Sequence, residues 1–461
     1  KYKQKYLNLL KSQKGGEPFL MDILAGQVFS YLFERNQRLL QLIYTKSQHV
    51  MMQPLGNFTL NPMYRLKLLS RSSISVLLAT RLAQGEIRNN RLELHLAKRI
   101  ISRTHKLPKI SPPTLAITLD SSEGWHKNNL QSVAFHPILP LLATCSRDNP
   151  VKLWRLENFL NSSKMAVTNL QIPWGCSHDI LSVAFHGTEP LLATGSTDTT
   201  VQLLSFLSDG SEATCVTILD SSKNGHRDWV WSVAFHPTLP LLASGSYDGM
   251  TKLWRLDNPN GSAVTCMATL DSSNDGHRSM VNSVTFHPTL PLMATGSNDM
   301  NVKLWRLDKS YGSMWGASCV ATLDRSKGGH DDGVSSVGFH STLPLLATGS
   351  YDNTVKLWRL VYNPDGSILA GTCVATLDRE TRGHNKSVYS VAFHPTLSFL
   401  ATGSGDKTVK LWRLDNPDGS AATCVATLEG HNSSIMSVAF HQRLPFLVTG
   451  SEDSTIKLWK L

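Results

Sequence analysis

The sequence is short of the features that mark membrane, secreted and redox proteins. Its 461 residues contain no run of about eighteen apolar residues, so no membrane-spanning helix is expected. Lys1 to Gln13 is basic and tyrosine-rich where a secretory leader would be apolar, so no secretory signal is expected either. The chain starts with Lys rather than Met, which leaves its native start open. Of seven cysteines none forms a C-x-x-C pair, which argues against zinc and dithiol redox motifs, and no cofactor is expected. Five of them (Cys215, Cys266, Cys319, Cys373 and Cys424) hold one repeated position, too widely spaced to bridge. Free thiols in a reducing intracellular compartment, cytoplasm or nucleus, follow as the expectation.

Acidic residues are scarce only in the first part of the chain. Residues 1–110 hold 19 Lys+Arg against 5 Asp+Glu, while the rest holds 26 against 30. The overall charge of +10 therefore belongs to an N-terminal arm, and the remainder is mildly acidic. Such an arm suits an acidic partner (nucleic acid or another polyanion, a membrane surface or an acidic protein), or is simply a solvated helical arm.

What is present in abundance is repetition. Seven times the chain passes through nearly the same series: a Gly-His step, S-V-A-F-H-P, L-L-A-T-G-S-x-D and V-K-L-W-R-L. One copy runs from Gly225-His226 through Ser232-Val233-Ala234-Phe235-His236-Pro237 and Leu241 to Asp248, and ends at Lys252-Leu253-Trp254-Arg255-Leu256. The histidines at 126, 178, 226, 277, 330, 384 and 431 are spaced by 47 to 54 residues, enough for four strands and their loops. Short β-type runs broken by Pro, Ser, Asn and Asp support that count, with Asn258-Pro259-Asn260-Gly261 and Asn416-Pro417-Asp418-Gly419 as turns.

The Gly-His, the turn aspartate and the tryptophan six residues later resemble the WD-repeat (WD40) family of β-propellers. The resemblance covers 115–461 and implies an all-β, seven-bladed propeller of four-stranded antiparallel blades. In the family's circular pattern the early strand Leu115–Leu119 would complete the last blade, which ends at Trp459-Lys460-Leu461. Ahead of it we read a basic tail over 1–17, a helical region over 18–103 and a proline-rich linker over 104–114.

Each copy offers His, Ser or Thr, and Asp, which on paper is a hydrolase triad. The resemblance instead implies a structural tetrad with the tryptophan. Its members are His126, Thr144, Asp148 and Trp154; His178, Thr194 and Asp198; and His226, Ser244, Asp248 and Trp254. His277, Thr295, Asp299 and Trp305 follow, then His330, Thr348, Asp352 and Trp358. His384, Thr402, Asp406 and Trp412 precede His431, Thr449, Asp453 and Trp459. A catalytic triad is needed once, whereas a clip is needed in every blade, so no catalytic residue is assigned. Two copies depart: the second has Leu204 for tryptophan and Cys176-Ser177-His178 for Gly-His, and the first carries Trp125 before His126. The family's closing Trp-Asp becomes Trp-Arg at Arg155, Arg255, Arg306, Arg359 and Arg413 and Trp-Lys at Lys460. A second histidine ring, His136, His186, His236, His287, His340, His394 and His441, reads as turn histidines with local bonds, not as metal ligands.

Core positions repeat and recognition positions vary, so the partner surface is sought where copies disagree. The slots beside the first-strand valine give Trp229, Trp231, Met280, Asn282, Tyr389 and Met436. The slot before the turn aspartate gives Arg147, Tyr247, Asn298, Tyr351 and Glu452. Trp229, Trp231 and Tyr247 should cluster on one blade, and such side chains dominate binding energy at interfaces.

The arm carries two further resemblances. Residues 18–50 resemble an F-box through Leu20-Met21-Asp22-Ile23-Leu24, Val28-Phe29-Ser30-Tyr31-Leu32 and Leu39-Leu40-Gln41-Leu42, with departures at Met21, Ile23 and Gln48-His49. That would imply a Skp1-type adaptor and a ubiquitin-ligase substrate receptor. The segment Lys1-Tyr2-Lys3-Gln4-Lys5-Tyr6 through Gly15-Gly16 resembles the start of many giant amoebal DNA virus proteins, which would place the chain in a host cell or virion. The expected function is a non-enzymatic protein-interaction scaffold, with the ligase receptor and the polyanion-binding arm as alternatives.

Overall fold

The computed structural model describes residues 113–461 apart from 121–125, 149–150, 158–165, 172–177, 208–211, 310–314 and 363–367. The expected tail over 1–17, the helical region over 18–103 with its F-box-like stretch, and the linker up to residue 112 lie outside the described residues.

Seven four-stranded sheets form, each with antiparallel neighbours, and their order along the chain makes them blades 1 to 7. Blade 3 shows the local logic, with strands Val230–Phe235, Leu241–Ser246, Thr251–Leu256 and Val264–Leu270. The second strand of every blade is buried along its whole length, which is why it is written in Leu, Ala, Thr, Gly and Ser without an exposed polar alternation. The outer strand alternates exposure, as Ala422–Leu428 does. The strand Thr114–Leu119 pairs antiparallel with Ile456–Lys460, so it is the outer strand of blade 7. Both chain ends of the propeller thus share one sheet, and the first strands touch in a ring from blade 1 through blade 7 and back.

Two belts of side chains hold neighbouring blades together. The first strand is a sheet edge, and an edge N–H without a partner is costly. In each blade the valine N–H of the Ser-Val step donates to the preceding blade's serine: Val183 to Ser132, Val233 to Ser182, Val284 to Ser232, Val337 to Ser283, Val391 to Ser336 and Val438 to Ser390. Val133 donates to Ser437 and closes the circle. At the opposite end of the strand, the F-H-P histidine meets the next blade's phenylalanine at 5.0 Å between ring centroids, from His136–Phe185 round to His441–Phe135.

Close blade approach also explains the glycine of T-G-S. A Cβ on Gly245 would lie 2.7 Å from Val281 Cγ1 of the next blade, and one on Gly296 equally close to Val334. Blade 1 departs here, placing fully buried Cys145 in that slot. Burial pushes its thiol up, and the six described cysteines are all free.

Candidate functional site

The tetrad forms at the end of the blade opposite the F-H-P turns. In blade 3, Trp254 Nε1–H donates to Ser244 Oγ at 2.9 Å, Ser244 bonds His226 Nε2 at 2.8 Å, and His226 Nδ1 bonds Asp248 at 2.9 Å. Asp248 also accepts from the N–H groups of Arg227 and Met250, so it ties the loop before the first strand to the turn after the second. Burial alone would raise its pKa, but the bonds from His226 and these N–H groups outweigh that and bring it to about 2. The same relay joins His126 to Asp148 and Thr144, His277 to Asp299 and Thr295, and His330 to Asp352 and Thr348. It joins His384 to Asp406 and Thr402, and His431 to Asp453 and Thr449. Trp154, Trp305, Trp358, Trp412 and Trp459 each donate to their hydroxyl at 2.8 to 3.0 Å. Blade 1 keeps the relay despite the extra Trp125 in its loop.

Hydroxyl, imidazole and carboxylate in this order are the geometry of a nucleophilic triad. Here the hydroxyl is wholly buried and accepts the tryptophan N–H, so no substrate can approach it.

Blade 2 differs, and His178 is not part of a tetrad. Thr197 N–H donates to Asp179 O just as Tyr247 N–H donates to Trp229 O, three residues past His226. By that register the clip position falls on Cys176, outside the described residues, and His178 stands two residues further along, exposed. Asp198 instead bonds the N–H and hydroxyl of Thr200. With Leu204 in place of the tryptophan, Thr194 Oγ1 is buried with no hydrogen-bond partner among the described residues.

The second histidine ring is fixed in its tautomer. His236 Nδ1 accepts from the N–H groups of Thr238 and Leu239 at 3.1 and 3.0 Å, and the other six make the same pair of bonds. Nδ1 is therefore unprotonated, and burial lowers the pKa of His136, His236, His287, His340 and His394 to about 4. Among the described residues no cluster of His, Cys, Asp or Glu could hold a metal ion.

The varying residues meet on the rim beside the clips. Tyr247 lies 5.4 Å from both Trp229 and Trp231, centroid to centroid, and Trp229 is 41% exposed. Tyr351 and Tyr389 meet edge to face at 6.0 Å on blades 5 and 6. Small residues make room for these rings: a Cβ on Gly405 would lie 3.2 Å from the Tyr389 ring, and one on Gly333 would lie 3.1 Å from the Tyr351 ring. Between them, Asn282 bonds Asn298 and the Val334 carbonyl, and Asn298 reaches Met280 Sδ at 3.4 Å. Glu452 accepts from Ser433, Met436 is half-buried, and exposed Arg147 is joined to Asn129 through its backbone. Sequence reading missed Asp332, beside Tyr351, and the belt serines, although the serine's recurrence in all seven copies was the available signal.

The family model for the WD domain, G-beta repeat, matches residues 121–155, 170–204, 213–255, 264–306, 317–359, 371–413 and 422–460. The nuclear distribution protein nudF of Aspergillus flavus is 29% identical over 160 residues, covering 34% of this chain and 30% of that protein. Human striatin-4 is 30% identical over 161 residues, 34% of this chain and 20% of that protein. A probable cytosolic iron-sulfur protein assembly protein 1 of Scheffersomyces stipitis is 31% identical over 157 residues, 32% of this chain and 42% of that protein. The chain therefore spans less than half the length of these relatives. The WD40 β-propeller domain of Doa1 superposes with a TM-score of 0.56 at 20% identity, over 76% of this chain and 97% of that one, which shows the shared fold. With seven matched repeats, seven blades and six complete clips among the described residues, the chain belongs to the WD-repeat family of β-propellers.

Proposed function

We propose that this propeller is a non-enzymatic protein-interaction scaffold that engages its partner through the clip-end rim of blades 3 to 6. The carrying observation is the contact of Trp229, Trp231 and Tyr247, three side chains that break the repeat and meet at one place. The clips supply rigidity and the inaccessible hydroxyls supply no nucleophile, so display is the role the geometry supports. The relatives named as a nuclear distribution protein and an assembly protein fit such a role. The test is affinity purification of the full chain and of Trp229→Ala/Trp231→Ala from its natural source. Partners held by the parent chain should be lost from the variant at unchanged melting temperature. An unaltered partner set would refute the rim as the binding surface.

A second reading concerns the arm, favoured by the 19 basic against 5 acidic residues of 1–110. It would bind a polyanion with an affinity that falls steeply with salt, and salt-independent retention on heparin would exclude it. The ligase-receptor reading rests on residues 18–50 alone, and failure of that segment in the full chain to capture a Skp1-type adaptor would end it.

A further inference from the structure

We infer that a crevice in blade 3 binds a small organic molecule through an oxyanion head, phosphate or carboxylate, held by Arg227 and Lys252, with the body of the molecule against Met250 and Met267. The crevice lies between the loop 221–227 that enters the blade and the end of its outer strand, and it shares no residue with the aromatic rim. Its volume is about 490 Å³, the size of a small-molecule pocket rather than of a bare ion. Lys252 carries the argument. It is 6% exposed, and a lysine is almost never buried without a paired charge. Its ammonium donates to the neutral Thr269 Oγ1 at 3.0 Å and forms no ion pair among the described residues. Two of its three N–H donors are left for an acceptor in the crevice. Arg227, exposed at the same crevice, also has no ion pair among the described residues.

The carboxylates close by are already engaged. Asp248 accepts from His226 and from the N–H groups of Arg227 and Met250. Asp271 lines the crevice but accepts from the N–H and the hydroxyl of Ser273. The lining therefore holds two cations against one carboxylate. Comparison of the copies shows what blade 3 combines. Lys457 in blade 7 is nearly as deeply buried and bonds Thr118, but Asn432 stands where blade 3 has Arg227. Blade 5 has Asp331 there and blade 6 has Asn385, while blade 1 has Lys127, without the guanidinium fork that matches an oxyanion. Blade 4 repeats both cations as Arg278 and Lys303, with the lysine half-buried. The methionines belong to blade 3 alone. Met267 stands where blades 2, 4, 5 and 6 have valine, and Met250 where blades 2, 5, 6 and 7 have threonine. Those threonines bond the turn aspartate through their hydroxyls, a bond that Met250 cannot make. The exchange weakens the turn and places a soft, adaptable thioether at the crevice, which suits the body of a ligand.

The test is titration calorimetry of the purified full chain with phenyl phosphate, benzoate, inorganic phosphate and the neutral benzyl alcohol. At least one of the two aromatic anions should bind, more tightly than inorganic phosphate and than benzyl alcohol, and the better of the two identifies the head group. Lys252→Gln should raise its Kd about tenfold, the size of a lost charge-assisted bond in a buried site. Arg227→Asn should raise it about two- to fivefold, as for an exposed cation. The repeat itself supplies both replacements, since Gln202 holds the lysine position in blade 2 and Asn385 the arginine position in blade 6, so the variants should fold. Met250→Thr restores the residue of the other blades and should weaken the aromatic anion more than inorganic phosphate. The location is read from Cys266, which lines the crevice, with Cys373 and Cys424 at the same place in blades 5 and 6 as internal controls. Alkylation by iodoacetamide, followed peptide by peptide in a mass spectrometer, should slow at Cys266 and not at the controls. No binding of either anion, binding indifferent to Lys252→Gln and Arg227→Asn, or equal slowing at all three cysteines would overturn the inference and show an adventitious ion only. The scaffold reading stands or falls separately, on Trp229 and Trp231.

Discussion

The Val133 N–H donates to Ser437 Oγ at 3.1 Å, joining blade 1 to blade 7 across 304 residues of chain. It is the last bond of a belt whose other six links join blades adjacent in sequence. Ser437→Ala leaves the Val133 N–H, on a valine only 5% exposed, without its acceptor. The expected cost is about 1–3 kcal/mol, that of an orphaned buried donor. The strand Thr114–Leu119 still ties the start of blade 1 into the blade 7 sheet, so the loss should stay local and appear as earlier exchange of amides in blades 1 and 7. Ser232→Ala should cost a similar amount but leave blade 7 protected. Exchange mass spectrometry on both variants checks this, and identical protection maps would contradict it.

One substitution should have opposite signs in two blades. Thr295 Oγ1 accepts from Trp305 and bonds His277, so Thr295→Val breaks two bonds and strands both partners. A loss of several kcal/mol is expected. Thr194 Oγ1 has no partner among the described residues, so Thr194→Val exchanges an unsatisfied hydroxyl for a methyl of the same shape. It should stabilise by about 1 kcal/mol. Thermal melts of the two variants beside the parent decide it, and destabilisation by Thr194→Val would mean that blade 2 holds a hydrogen bond at that hydroxyl.

The fold was legible because each blade repeats its own constraints. Buried L-L-A-T-G-S and the clip residues recur where sheet and loop need them, and the strand before His126 could be placed in blade 7 by completing a pattern. Blade 2 was misread by two residues because His178 is the nearest histidine to the Gly-His position. The loop before the first strand is short by two residues, and the bond from Thr197 N–H to Asp179 O and the pairing of Ile180 with Ser196 fix the register. The belts were written in every copy, yet Ser-Val and Phe-His look like strand filler until the neighbouring blade is in place. The rim aromatics were found as departures from the repeat, whereas Asp332 was not, since its slot holds acidic, basic and neutral polar residues alike, as Asp228, Lys386 and Ser433 show. Gly333 and Gly405 matter only through the rings that occupy the space they leave.

Stability should fall with acid well before the carboxylates titrate. His136, His236, His287, His340 and His394 have folded-state pKa values of about 4 against 6.5 in the free side chain, because burial disfavours the cation. A protonated Nδ1 could not accept the two turn N–H groups either. Above about pH 6.5 both states are neutral and the contribution is complete. Between 6.5 and 4 the unfolded chain binds protons that the folded one refuses, so stability drops as pH falls. The slope is at most about 1.4 kcal/mol per pH unit for each histidine. Melting temperature should decline from pH 6.5 to 4.5, where Asp248, lowered to about 2, contributes no pH dependence in the folded state. His236→Gln should make the decline shallower, and a flat profile down to pH 5 would contradict the account.

The junction of blades 1 and 2 is where sevenfold regularity fails on both sides, and that makes its packing testable. Cys145 fills the slot that is glycine in the other blades, against Ile180 and Val183 of blade 2. At the blade 3–4 junction a Cβ in this slot would sit 2.7 Å from Val281 Cγ1, so Gly245→Cys must push the blades apart or bend the strand. Overpacking of this kind costs about 1–3 kcal/mol. Cys145→Gly should also destabilise, through the cavity left beside Ile180 and the added freedom of the unfolded chain. Opposite substitutions at equivalent positions then both lower the melting temperature, which no general preference for glycine or cysteine in this strand would produce. If Gly245→Cys is neutral, the inter-blade contact at this slot is soft and steric exclusion does not explain its glycine. If both substitutions destabilise, the first two blades pack by a different fit from the rest. Together with the partnerless Thr194, that makes blade 2 the expected site of fastest amide exchange in the ring.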